Sequence, residues 1–134
     1  MTISEKDSLY NWHPYTQHKI YSHFPAIVKG KDEFLWDENG KKYIDGIASW
    51  WVNPFGHSNV LIADAIYKQL TTLEHVLFGG FTHNVVVELA EKLVEILPSN
   101  QRKFFYSDNG STAVEVAIKA SLQFHYNKGI KKNT

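Results

Sequence analysis

Between two amphipathic helices in the second half of this sequence stands a single short aromatic strand, Arg102 to Ser107, carrying Phe104, Phe105 and Tyr106. One strand cannot make a sheet, and the partners of a parallel strand arrive through later helical crossovers. The expected order is a β-hairpin, two helices, this strand, a tight turn and a third helix. The next strand of such a sheet is due where the sequence reaches Lys131-Lys132-Asn133-Thr134. The expectation is an α/β architecture that is incomplete within these 134 residues, a piece of a larger soluble enzyme.

The individual elements follow from pattern and punctuation. Residues 3–12 read as a short helix with Ser4 as its cap, broken at His13-Pro14 because proline disfavours helix in the residue before it. Ala26 to Ile47 reads as β, with Asn39-Gly40 as a hairpin turn between Phe34-Leu35-Trp36 and Tyr43-Ile44. Ser49 to His57 is a loop by its Pro54 and Gly56, unusually aromatic for one. A helix capped at Ser58 follows, with Ile62, Ile66, Leu70 and Leu73 on one face. Gly79-Gly80 breaks the chain, and a second helix runs from about Asn84 to Pro98 with Val86, Leu89, Ala90, Leu93 and Leu97 inward. After the turn Asp108-Asn109-Gly110-Ser111, a third helix carries Val114, Ala117, Ile118, Ser121 and Leu122.

Composition narrows the class. Hydrophobic residues make up 43% and charged residues 21%, a globular balance. Aromatics reach 14%, which hints at a pocket or an interface. The formal net charge is zero, and the basic cluster Lys128, Lys131 and Lys132 reads as a solvated helix end, so no nucleic-acid partner is expected. The absence of cysteine excludes a disulfide framework and a thiolate metal site. Met1 to Asp7 is polar, without a signal-peptide core, and no run approaches the roughly 18 apolar residues of a membrane helix. A cytoplasmic location is the default expectation.

Three places can carry chemistry. Gly110 and Ser111 end a strand and open a helix, where free N–H groups and the helix dipole favour a phosphate. The alternative is a structural turn with Thr112 and Glu115 as a capping box. Trp50-Trp51, in a loop rich in proline and glycine, either walls a pocket or packs beneath the hairpin. Tyr15, after Pro14, is a hydroxyl on a rigid loop or a packed tyrosine. His13, His18 and His23 recur at five-residue intervals, which fits neither a helix face nor a strand face, so no metal site is expected.

Four stretches then occur in order: His13-Pro14-Tyr15-Thr16; Asp45-Gly46-Ile47-Ala48-Ser49-Trp50-Trp51; Phe78-Gly79-Gly80-Phe81-Thr82-His83; and Asp108-Asn109-Gly110-Ser111-Thr112-Ala113-Val114-Glu115-Val116-Ala117-Ile118-Lys119. Together they resemble the adenosylmethionine–8-amino-7-oxononanoate aminotransferases of biotin synthesis, which are class III, fold-type-I, pyridoxal-phosphate enzymes. The resemblance runs from about residue 10 to 129 and concerns only the N-terminal portion of that longer family chain. It implies an N-terminal segment with the hairpin over 1–50 and the beginning of the large cofactor domain over 51–134.

Carried over by motif, the resemblance implies that Gly110 and Ser111 hold the phosphate of pyridoxal 5'-phosphate, that Trp50 lines the substrate site, and that Tyr15 reaches the same site. It implies transfer of an amino group from S-adenosylmethionine to 8-amino-7-oxononanoate, giving 7,8-diaminononanoate, in a homodimer with Val76-Leu77-Phe78 near the interface. The Schiff-base lysine is expected beyond Thr134, so no catalytic residue is assigned here and the segment alone is expected to be inactive. Asn109 stands where the family more often has serine, and Asn53 to His57 is shorter or rearranged against the family loop. The rival expectations are a class III aminotransferase with another donor and acceptor, and a non-catalytic scaffold or binding module.

Overall fold

The computed structural model describes residues 1–21 and 23–130. It contains five helices and one three-stranded antiparallel sheet, in the order α1 (Ile3–Tyr10), β1 (Ile27–Lys31), β2 (Phe34–Asp37), β3 (Lys42–Ile44), α2 (Ala48–Trp51), α3 (Val60–Thr72), α4 (Asn84–Ile96) and α5 (Gly110–Asn127). The chain forms two compact units, Met1–His75 and Val76–Thr134. Lys131, Lys132 and the segment to Thr134, where a further strand was expected, lie outside the described residues.

In the first unit α1 starts at Ile3, as expected, and ends at Tyr10, but its cap lies two residues before the expected one. Thr2, not Ser4, is the cap. Its hydroxyl accepts from the Glu5 N–H at 3.2 Å, and the Glu5 carboxylate accepts from the Thr2 N–H at 2.7 Å. Ser4 is inside the helix and donates instead to the Phe24 carbonyl at 2.7 Å. The Glu38 carboxylate, in the turn between β2 and β3, accepts from the Ile3 and Ser4 N–H groups, so the helix start is tied to the hairpin.

The hairpin forms where expected, with Trp36 opposite Lys42 and Phe34 opposite Ile44. Asn39-Gly40 makes the turn, but only Gly40 adopts positive φ, at 80°. Asp37 organises it. Its carboxylate accepts from the N–H groups of Asn39 and Lys41, each at 2.9 Å, and from the Tyr43 hydroxyl at 2.7 Å. That set of donors, led by the Tyr43 hydroxyl, holds the Asp37 carboxyl below its ordinary range.

The stretch expected as a plain loop contains a left-handed helical turn. Ala48, Ser49, Trp50 and Trp51 have φ of 47°, 49°, 63° and 66°, and the Trp51 N–H reaches the Ile47 carbonyl at 2.9 Å. Each such residue costs about 1–2 kcal/mol, because Cβ crowds the following carbonyl oxygen. Beyond it α3 is capped by Asn59, whose side chain accepts from the Ile62 N–H at 3.2 Å. Ser58, the expected cap, is drawn off to donate to the Gly30 carbonyl of β1 at 2.8 Å.

In the second unit α4 is capped by His83 and ends at Ile96, two residues before Pro98. Gln101 to Ser107 belongs to no strand: the residues expected to form one have no ladder partner among the described residues, and a strand is defined by its partner. The cap of α5 is Asn109, which exchanges hydrogen bonds with Thr112. The Thr112–Glu115 box, the alternative reading of this turn, is not made; the Glu115 carboxylate pairs with Lys119 at 2.6 Å.

No apolar side chain is buried among the described residues, and α3, α4 and α5 leave their apolar stripes open. These are amphipathic faces of the kind that stabilise a helix by packing on a sheet.

Candidate functional site

Two residues singled out from the sequence, Tyr15 and Trp50, come together. Their ring centroids lie 5.7 Å apart with the planes tilted by 54°. Proline fixes the backbone before Tyr15, and the left-handed turn α2 presents Trp50. Tyr15 is itself left-handed, at φ 53°. Two aromatic residues in a conformation that suits glycine, with their rings in contact, mark a place where the surrounding chain holds strain for a reason. Trp50 is 61% exposed and Tyr15 92%, so within this unit neither packs beneath the hairpin.

A second group, not among the residues singled out from the sequence, explains the turn. Asp45 leaves β3 and turns its carboxylate back on the chain ahead. Oδ1 accepts from the Ser49 N–H at 3.0 Å and Oδ2 from the Ser49 hydroxyl at 2.7 Å. Oδ2 also faces His57 Nε2 at 2.7 Å. The side chains of His57 and Asp45 are only 15% and 7% exposed. His57 is locked to the β1–β2 turn by two backbone hydrogen bonds with Asp32, at 2.8 and 3.0 Å. Gly30 permits that approach, since a Cβ there would stand 2.8 Å from His57 Cβ. An aspartate four residues ahead of a serine, just after a strand, was the available signal; His57 had none, because its contacts are all distant in sequence.

The Ser49 N–H, then its hydroxyl, then His57 hold the Asp45 carboxyl down to about 2 from an ordinary 3.8. A carboxyl with a depressed folded-state pKa contributes stability that is full above its unfolded value and is lost as pH falls through the folded one. The turn is therefore expected to keep its form above 3.8 and to loosen toward about 2. A variant retaining only Trp50 among its tryptophans reports this by fluorescence. Asp45→Asn is expected to abolish the acid transition, and an identical transition in that variant would show that another group controls it.

The corner expected to hold a phosphate, Gly110 and Ser111, lies in the second unit. With the Thr112 N–H taken by Asn109 and the Ala113 N–H by the Asn109 carbonyl, the N–H groups of Gly110 and Ser111 have no acceptor among the described residues. They open an 18-residue helix, the geometry that suits an anion. A Cβ placed on Gly110 would meet no described atom within 4 Å. In the same unit a cleft of about 470 Å³ is lined by Phe78, Val86, Val87, Ala90, Phe104 and Tyr106, and it does not include Gly110 or Ser111.

Comparison with known proteins gives a consistent relationship. The profile of the family described as aminotransferase class III matches residues 15–134. Adenosylmethionine-8-amino-7-oxononanoate aminotransferase of Staphylococcus aureus is 50% identical, the match covering 98% of this chain and 30% of that protein. The crystal structure of the enzyme of that name from Methanocaldococcus jannaschii superposes with a TM-score of 0.91 at 40% identity, over 98% of this chain and 31% of that one. An omega transaminase of Pseudomonas jessenii, solved in complex with PMP, gives 0.87 at 32% identity, over 96% and 29%. The chain thus spans about 30% of the length of the relatives it matches. With its three-stranded sheet and its helices, this segment is the N-terminal portion of a known α/β architecture: the chain belongs to the class III aminotransferases.

Proposed function

We propose that the protein carrying this segment transfers an amino group from S-adenosylmethionine to 8-amino-7-oxononanoate, giving 7,8-diaminononanoate for biotin biosynthesis. The observation that carries the reading is the Tyr15–Trp50 ring pair, built on strained backbone and left exposed. Two large stiff rings, one with a hydroxyl, suit an apolar carbon chain with a polar end and a bulky sulfonium donor. The names of the relatives at 40–50% identity support the same pair of substrates.

In this reading Gly110 and Ser111 hold the phosphate of pyridoxal 5'-phosphate through their N–H groups, with the Ser111 hydroxyl as a further donor. The bound cofactor supplies the electron sink that amino transfer requires. Trp50 and Tyr15 hold the substrate chain and exclude water from it. The Asn109 side chain is occupied in capping α5, so it is assigned no contact with the cofactor. No residue of this segment is assigned to proton transfer at the reacting carbon; the covalent lysine belongs to the remainder of the family chain, and the segment alone is inactive. The working protein is a cytoplasmic homodimer with Val76-Leu77-Phe78 near its interface and with the segment divided into 1–50 and the start of the cofactor domain at 51–134. The test is formation of 7,8-diaminononanoate by the full-length protein from this donor and acceptor. A class III aminotransferase of other specificity would instead transfer to other acceptors.

A further inference from the structure

Trp50 has the left-handed backbone conformation, uncommon for a tryptophan, and the turn that contains it has no glycine from Ala48 to Trp51. Something outside the turn must hold it. The Asp45 carboxylate is the group in position: it grips the second residue of the turn by N–H and hydroxyl together, at 3.0 and 2.7 Å. His57 holds the other side of that carboxylate at 2.7 Å and is pinned to the β1–β2 turn through Asp32. A rigid line therefore runs from the sheet through His57 and Asp45 to the turn, and Trp50 is the next residue after the one that is gripped.

We propose that Asp45, braced by His57, is a positioning residue that sets the left-handed turn and so aims the Trp50 ring at Tyr15 and the substrate. The inference rests on Trp50 lining the substrate site. Asp45 touches no substrate; it acts through the backbone of Ser49. Substrate-positioning groups act by holding geometry, and their loss separates from loss of the fold.

The test uses the full-length enzyme labelled with 5-fluorotryptophan, with the Trp50 signal assigned by Trp50→Phe and Trp36 on β2 as the internal control. Asp45→Asn is expected to shift or broaden the Trp50 fluorine signal while that of Trp36 stays. It is expected to lower kcat/KM for the amino acceptor about 10- to 100-fold, the scale of a misplaced group, with cofactor retention unchanged. Ala48→Gly removes one crowded Cβ from the turn, so in the Asp45→Asn background it is expected to restore much of both the signal and the rate. If Asp45→Asn does not fold, Ser49→Ala carries the test, with a smaller shift in the same direction. An unchanged Trp50 signal in the variants, or a changed signal that Ala48→Gly leaves where it was, overturns the proposal. A shifted and rescued signal with normal kcat/KM would uphold the positioning of Trp50 and refute its place in the substrate site, so the two failures are distinct.

Discussion

Trp50→Ala in the full-length enzyme is expected to cost several kcal/mol in kcat/KM, read as lost transition-state stabilisation, while the fold and the cofactor absorbance survive. The expectation for the fold rests on the position of Trp50 within this segment. Trp50 is exposed, and its partner in the described chain is the Tyr15 ring rather than a core. Removing the indole also deletes none of the hydrogen bonds that Asp45 makes to the turn. Tyr15→Phe is expected to cost less, about 1–3 kcal/mol if its hydroxyl meets a buried polar group of the substrate. Melting and single-turnover kinetics on the same variant check the account. A Trp50→Ala enzyme that melts far lower yet turns over normally would make Trp50 a packing residue.

Gly110→Val is expected to remove most of the cofactor, and Ser111→Ala to weaken its retention by about 1–2 kcal/mol, the scale of one hydrogen bond to a charged group. A Cβ at 110 meets no described atom of this segment within 4 Å, and the residue does not have positive φ. What a valine obstructs is the approach of an anion to the free N–H groups. Gly110→Ala is the graded control, with a smaller Cβ and a better helix former. Equilibrium dialysis of pyridoxal 5'-phosphate against the three variants measures the order. Unchanged affinity in both Gly110→Val and Ser111→Ala would remove the corner from the cofactor site.

Local chemistry in the sequence located the hairpin and the helices α1, α3, α4 and α5, but not their ends. Each helix start offers several residues able to cap, and distant partners decide among them. Ser4 is claimed by Phe24 and Ser58 by Gly30, which leaves Thr2 and Asn59 as the caps. Asn109 displaces the Thr112–Glu115 box because it stands at the boundary with its side chain free. The aromatic run at Phe104 to Tyr106 is strand-like in composition, and nothing in composition says whether a partner is present. The left-handed turn was not legible at all. Positive φ is normally signalled by glycine, asparagine or aspartate, and Ala48-Ser49-Trp50-Trp51 contains none. The signal lay in Asp45 and in His57, which reach the turn only through the folded sheet. Tyr15 and Trp50 were each visible as candidates from their loops, yet 35 residues separate them in sequence, and their contact follows from backbone conformations that no local rule favours.

The central claim is that this segment belongs to an enzyme that makes 7,8-diaminononanoate. The direct measurement is mass-spectrometric detection of that product after incubating the full-length protein with pyridoxal 5'-phosphate, S-adenosylmethionine and 8-amino-7-oxononanoate. The account predicts product that requires both substrates, disappears when S-adenosylmethionine is omitted, and is absent when the segment of 134 residues is supplied alone. Full-length protein that holds its cofactor and transfers amino groups to other acceptors, while leaving 8-amino-7-oxononanoate untouched, would contradict it.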